Sequence, residues 1–211
     1  NVNIKIFNDL QHTITGWPGG KPNADDSNRP ERAKPYPKRV IIFSPHPDDD
    51  VISMGGTFQR LVNQGHDVHV AYQTSGNIAV GDEEVIRYLS VFKNLIKEFE
   101  PTNSTALNKL SNILHHLFHE KGVDDIDTPE VRFLKGRIRR EEARSADRYV
   151  GLPHSHVHFL DLPFYETGRV KKDPISEKDV VIVKDFIESI KPHQIYVAGD
   201  LADPHGTHKV C

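Results

Sequence analysis

The stretch SPHPDDD, residues 44–50, places His46 just ahead of three consecutive carboxylates, Asp48, Asp49 and Asp50. A second polar cluster, GDLADPHGTHK at 199–209, carries His205 and His208. The sequence has one cysteine, Cys211, so an intrachain disulfide and a CxxC zinc site are both excluded, and a metal would need histidine and carboxylate ligands. His46 and Asp49 from the first cluster with His208 from the second would make a two-histidine, one-carboxylate set that leaves positions open for water and substrate. Asp48 would stay off the metal but close to that water, where a carboxylate can take a proton during attack on an amide or ester. His205 would stand on the far side, to stabilise an oxyanion or to protonate a leaving amine. Aspartates also favour helix starts, where they accept orphan amide hydrogens and match the helix dipole. Capping accounts for one or two of the three, but not for His46 or the second histidine cluster.

Residues so far apart need a scaffold that brings them together. RVIIFS (39–44) is a short continuous apolar run, as in a strand covered on both faces. From Asp49, apolar residues at Val51, Met54, Phe58, Leu61 and Val62 recur on one helical face up to Gly65, and DVHVAYQT (67–74) then alternates as a strand does. Helical patterns follow over about 83–99, 104–120, 129–150 and 176–190, with strands over 155–161 and 194–199. Strands separated by helices predict an α/β, doubly wound, Rossmann-like and mostly parallel sheet with helices on both faces. In a strand order 3-2-1-4, the two clusters follow adjacent strands and face each other where the order reverses, the place at which such sheets bind ligands.

Ahead of this domain (39–211), residues 1–38 read as an N-terminal extension and connector, since 17–37 holds five prolines and two glycines. Asn1 is not an initiator, Met54 is the single methionine, and Cys211 follows closely on His208, so a longer parent chain is expected. Apolar residues make up 36% and charged residues 27%, with a formal charge of -3. No apolar run is long enough to span a membrane and no signal segment opens the chain, so the expected compartment is the cytoplasm. The strongest basic stretch, GRIRR (136–140), is followed by EEAR and reads as a solvated helix face rather than a nucleic-acid surface.

SPHPDDDVISMGGT resembles the (A/P)-H-P-D-D-(E/D) signature of the N-acetylglucosaminyl-phosphatidylinositol de-N-acetylase (PIG-L) and LmbE-like family of zinc-dependent deacetylases. The resemblance continues through QTSGN, RIRREEARSADRYVGLPHSHVHFLDLP and DPHGTHK, over about residues 39 to 209. It implies hydrolysis of an N-acetyl group on an N-acetylglucosamine-type small molecule. It also implies Zn²⁺ held by His46, Asp49 and His208, with Asp48 as general base and His205 as catalytic histidine. The chain is similar as well to the C-terminal portion of bacterial glucosamine-6-phosphate deaminase-like proteins, which implies a fused amino-sugar deaminase domain. The sequence departs from the family pattern in two places: Asp50 replaces the commoner Glu, and HGTH replaces H-P-D-H. Family members also continue past the helix that begins at His208, so the domain is expected to be incomplete at its C-terminus.

The leading expectation is the de-N-acetylase, and the HGTH departure keeps open an alternative, a non-catalytic sugar-sensing or scaffolding domain attached to an amino-sugar deaminase. A phosphoesterase would want a two-metal carboxylate cluster that the sequence does not supply. HHLFHE (115–120) lacks the glutamate of H-E-x-x-H and reads as a polar helix face. His154, His156 and His158 alternate, so a strand would place them on one face, but without a carboxylate or cysteine partner nearby. MGGT (54–57) lacks G-x-G-x-x-G, and Gly55 and Gly56 read as a close approach of helix to sheet. Thr74, Asn77, Arg87, Asp161 and Tyr165 are loop or helix polar groups that could touch a sugar.

Overall fold

The computed structural model describes residues 38–211 except 123, 200, 201, 203 and 205; the connector and His205 therefore lie outside the described residues. Four strands, β1 (Arg39–Ser44), β2 (Asp67–Tyr72), β3 (Val157–Phe159) and β4 (Gln194–Tyr196), form one parallel sheet in the order β3-β2-β1-β4. This is the expected order, and it sets the carboxyl ends of β1 and β4 side by side. Among the described residues, six α-helices accompany the sheet: α1 (Asp49–Asn63), α2 (Asp82–Phe99), α3 (Ser104–His115), α4 (Pro129–Val150), α5 (Glu177–Ile190) and α6 (Thr207–Val210).

Strand alternation divides the core. Val40 and Ile42 of β1, with Val68, Val70 and Tyr72 of β2, pack on Phe58 and Leu61 of α1 and Ala143 of α4. Ile41, Phe43 and Ala71 face the other way, against Val183, Phe186, Ile187 and Ile190 of α5. The sheet is thus covered on both faces, as continuous apolar strands require. A separate cluster joins α2 and α3 to α4 through Val85, Leu89, Leu114, Val131 and Ile138.

Several boundaries differ from the sequence expectation. The third strand is shorter than 155–161, because His154–His156 form a single 3₁₀ turn and Asp161 adopts a positive φ of 48°. The fourth pairs with β1 over three residues only. The helix expected to run to 120 ends at His115 and widens into a π turn, His116–Glu120. Within α1, Met54 leaves helical geometry. Gly55 and Gly56 do not mark a close approach: a Cβ on Gly55 would meet only Val51 Cγ1 at 3.4 Å, and one on Gly56 would meet nothing within 4 Å. Val51, expected on the apolar face, is 41% exposed.

One polar knot is sealed under α1 and α4. The Tyr72 hydroxyl lies 3.0 Å from Asp50 Oδ2 and 3.2 Å from Asp147 Oδ1, and Asp50 also faces Ser44 Oγ at 3.2 Å. One hydroxyl proton cannot serve two carboxylates, so a carboxyl proton completes the set. Burial, and then the Asp50 charge, push the Asp147 carboxyl up to about 7. The folded chain therefore holds this proton more tightly than the unfolded chain. That contribution is complete below the unfolded carboxyl value of about 4 and is lost as pH rises through about 7. Asp147→Asn cannot ionise, so its Tm relative to the parent should rise progressively from about pH 4 to about pH 7. A difference independent of pH in thermal melts would contradict this account.

Candidate metal centre and its surroundings

The turn after β1 directs its three carboxylates to three different partners. Asp48 begins α1 at φ -166° without capping it through its side chain. Its Oδ2 instead lies 2.8 Å from Arg139 Nη2 of α4. Asp50 is buried in the Tyr72 knot. Asp49 Oδ2 accepts from the His46 backbone amide at 2.8 Å and lies 3.2 Å from His46 Nδ1. Capping thus does not explain the cluster.

His208 enters from α6, which follows β4 through Gly206 at a φ of 76°. Its Nε2 stands 3.1 Å from His46 Nδ1 and 3.2 Å from Asp49 Oδ2. The same three atoms therefore form a nearly equilateral triangle with edges of 3.1–3.2 Å. A tetrahedral ion bound at about 2.0–2.1 Å sets its ligand atoms about 3.3–3.4 Å apart, so the triangle matches one face of such a site. Two imidazole nitrogens and one carboxylate oxygen are a donor set that suits zinc. Burial pushes the Asp49 carboxyl up, but hydrogen bonds from His46 and the charges of His208 and His46 outweigh this and hold it below its ordinary value. An anionic oxygen is thus present to receive a cation. Side-chain exposures of 22% for His46 and 25% for His208 leave the triangle reachable from solvent. The His46 ring packs edge-on against Tyr165, with centroids 5.7 Å apart.

Of the residues expected at the site, His46, Asp49 and His208 converge and Asp48 stands beside them. The GRIRR stretch is not the solvated face that its charge pattern suggested. Arg139 and Arg140 turn inward and pair with Asp48 and Asp161, at side-chain exposures of 15% and 22%. Hydrophobic patterning could not show this, because the two acidic partners are distant in sequence. Among the candidate sugar contacts, Thr74 is buried and donates to Pro45 O at 2.7 Å, and Arg87 pairs with Glu84 on exposed α2. Asn77 is buried and donates to Glu166 Oε2 at 3.3 Å. Glu166, which sequence reasoning did not single out, also accepts from Ser75 N and Ser75 Oγ, each at 3.0 Å.

The alternating histidines do meet a carboxylate. His156 and His158 gather around His69 of β2, and Asp67 joins them, with Asp67 Oδ1 3.3 Å from His69 Nε2. His154 lies exposed in the preceding turn. The His69 and His156 rings stack at 4.2 Å and 20°, so their in-plane lone pairs run nearly parallel instead of converging on one ion, and His156 Nδ1 faces Val68 O at 3.0 Å. In HHLFHE, His115 and His116 both face exposed Glu120, as a polar helix face does.

With this geometry established, comparison with known proteins gives a direct assignment. Residues 41–211 match the model of the PIG-L family, described as GlcNAc-PI de-N-acetylase. The chain belongs to the PIG-L family. It is 64% identical over 211 residues to a glucosamine-6-phosphate deaminase-like protein of Bacteroides thetaiotaomicron, covering 100% of this chain and 32% of that protein. It is 24% identical over 173 residues to a diacetylchitobiose deacetylase of Thermococcus kodakarensis, covering 77% of this chain and 59% of that protein. The chain thus spans about a third of the first relative and under two thirds of the second. No solved structure matches it. Among the described residues, no helix is long and apolar enough to cross a membrane.

The PIG-L signature loop is pinned from the side by Gly76, whose φ is +63°. A Cβ there would lie 2.8 Å from Pro47 Cδ and 3.3 Å from Arg139 Nε. Gly76→Ala should therefore cost about 1–3 kcal/mol, from both the left-handed backbone and the clash. Gly56→Ala, which meets open space inside a helix, should be neutral or stabilising by up to about 1 kcal/mol. Urea midpoints compare the two, and equal shifts would contradict the reading of Gly76.

Proposed function

We propose that the chain is the de-N-acetylase domain of a zinc-dependent hydrolase acting on an N-acetylglucosamine-type substrate, with His46, Asp49 and His208 as the metal ligands. The reading is carried by the triangle of two nitrogens and one oxygen, which forms at the carboxyl ends of two adjacent parallel strands beside a carboxylate it does not use. Zinc held there supplies a Lewis acid for the amide carbonyl and lowers the pKa of water to about 7. Asp48 acts as general base and takes the proton as water adds to the carbonyl carbon. Arg139 holds one oxygen of that carboxylate and restrains it beside the loop. His205 is the proposed acid, giving its proton to the sugar nitrogen as the C–N bond breaks and acetate leaves. Tyr165 restrains the His46 ring from the other side. The family description and the name of the thermococcal relative both point to amide hydrolysis on acetylated glucosamine units. The name of the Bacteroides relative supports an association with amino-sugar deamination.

Release of acetate from a panel of N-acetylglucosamine derivatives by the zinc-loaded full chain tests the reading. Asp48→Asn should retain stoichiometric zinc and lose about 10²–10⁴-fold in rate, whereas His208→Ala should lose zinc and rate together. If no member of the panel yields acetate, the chain is a sensing or scaffolding domain instead. If Asp48→Asn keeps the parent rate, Asp48 is not the base.

A further inference from the structure

Between α4 and the segment after β3 lies a cavity of about 350 Å³, walled by Arg132, Phe133, Arg137, Arg140, Asp161 and Glu166, among others. Its size suits a sugar-sized ligand. The two carboxylates in its wall are already matched. Asp161 pairs with Arg140, and Glu166 accepts from Ser75 N, Ser75 Oγ and Asn77 Nδ2. Arg132 and Arg137 have no acidic partner among the described residues. Shape rather than charge holds Arg132. Gly168, at a φ of +75°, lets the guanidinium lie against its backbone, where a Cβ would come within 2.5 Å of Nη1 and 3.0 Å of Cζ. Arg132 Nε is buried without a hydrogen-bond partner. Arg139 Nε and Arg144 Nε are buried unmatched as well, so Arg132 bears on the cavity as a lining guanidinium without a carboxylate partner among the described residues, not through this one atom. Arg137 lies over the ring of Phe133, 5.2 Å from its centroid, and that ring is 61% exposed.

Residues next in sequence to both cavity walls reach the metal triangle or the carboxylate beside it. Arg139, next to Arg140, holds Asp48, and Tyr165, next to Glu166, packs on His46. A substrate with its acetamido group at the triangle could therefore extend another part into the cavity. Two guanidiniums without carboxylate partners match a group of charge about -1.5 to -2, a phosphate monoester, better than a singly charged carboxylate.

We propose that this cavity binds a phosphate monoester carried by the amino sugar, with Arg132 and Arg137 as its ligands and Phe133 as a face for the sugar ring. The proposal rests on the de-N-acetylase reading for its substrate, but the binding itself is testable apart from hydrolysis. The zinc-loaded full chain is assayed with N-acetylglucosamine 1-phosphate, N-acetylglucosamine 6-phosphate and neutral diacetylchitobiose, and glucosamine 6-phosphate and glucosamine 1-phosphate are titrated by calorimetry. The parent should prefer one of the two phosphates to the neutral sugar. Arg132→Ala with Arg137→Ala should lower kcat/KM for that phosphate about 10–100-fold and leave the neutral substrate unchanged. Arg137→Ala alone, on an exposed side chain, should give part of the loss with an unaltered Tm. Equal losses on charged and neutral substrates, or no preference for either phosphate, would overturn the proposal. If nothing is hydrolysed, the de-N-acetylase reading fails. The titration then decides the cavity: binding weakened about 10–100-fold in the double variant supports it, and absent or unchanged binding of both phosphates overturns it.

Discussion

Asp48, Asp49 and Asp50 are adjacent in sequence at the end of a buried strand, and their mutual repulsion must be relieved for the loop to hold its shape. The relief is directional. Asp48 turns to the guanidinium of Arg139, Asp49 to two imidazoles, and Asp50 inward to Ser44 and Tyr72. Each partner belongs to a different element: Arg139 to α4, His208 to α6, Tyr72 to β2. The loop is thus where the sheet and three helices are tied together, and its electrostatics fix the positions of groups far from it.

The same arrangement separates structural from chemical roles among side chains of one type. The carboxylate that is driven into the core is neutralised by hydrogen bonds and a shared proton, so it anchors α1 to β2. The one facing two imidazoles is kept anionic, as a cation site needs. The one held by an arginine remains partly exposed, at 41% for its side chain. Under the proposed function, a single replacement at each of the three has a different signature, in stability, in metal content or in rate.

Much of this was legible in the sequence because it depends on periodicity and on local spacing. The continuous apolar run 39–44, the alternation at 67–72 and the helix over 49–63 are set by residues close to one another. The strand order followed from which polar clusters needed to meet, and it placed His46 and His208 in contact across 162 residues. Other features were hidden because they depend on direction rather than on pattern. The charges of GRIRR alternate with apolar positions as on any solvated helix, and only the path of α4 past the site turns Arg139 and Arg140 inward. The alternating histidines lacked a carboxylate in their own segment, and Asp67 reaches them from the neighbouring strand. Gly55 and Gly56 carried no positional information of the kind their residue type suggested, while Gly76, unremarked in sequence, holds the loop.

His46, Asp49 and His208 are the proposed ligands of a single metal ion. Zinc K-edge X-ray absorption of the full chain with one equivalent of zinc tests this most directly. The expected spectrum is a mononuclear centre with two imidazole nitrogens at about 2.0–2.1 Å, the remaining ligands oxygen and no sulfur. A zinc–sulfur shell at about 2.3 Å, which would implicate Cys211, or a spectrum of hydrated zinc free in solution would contradict it.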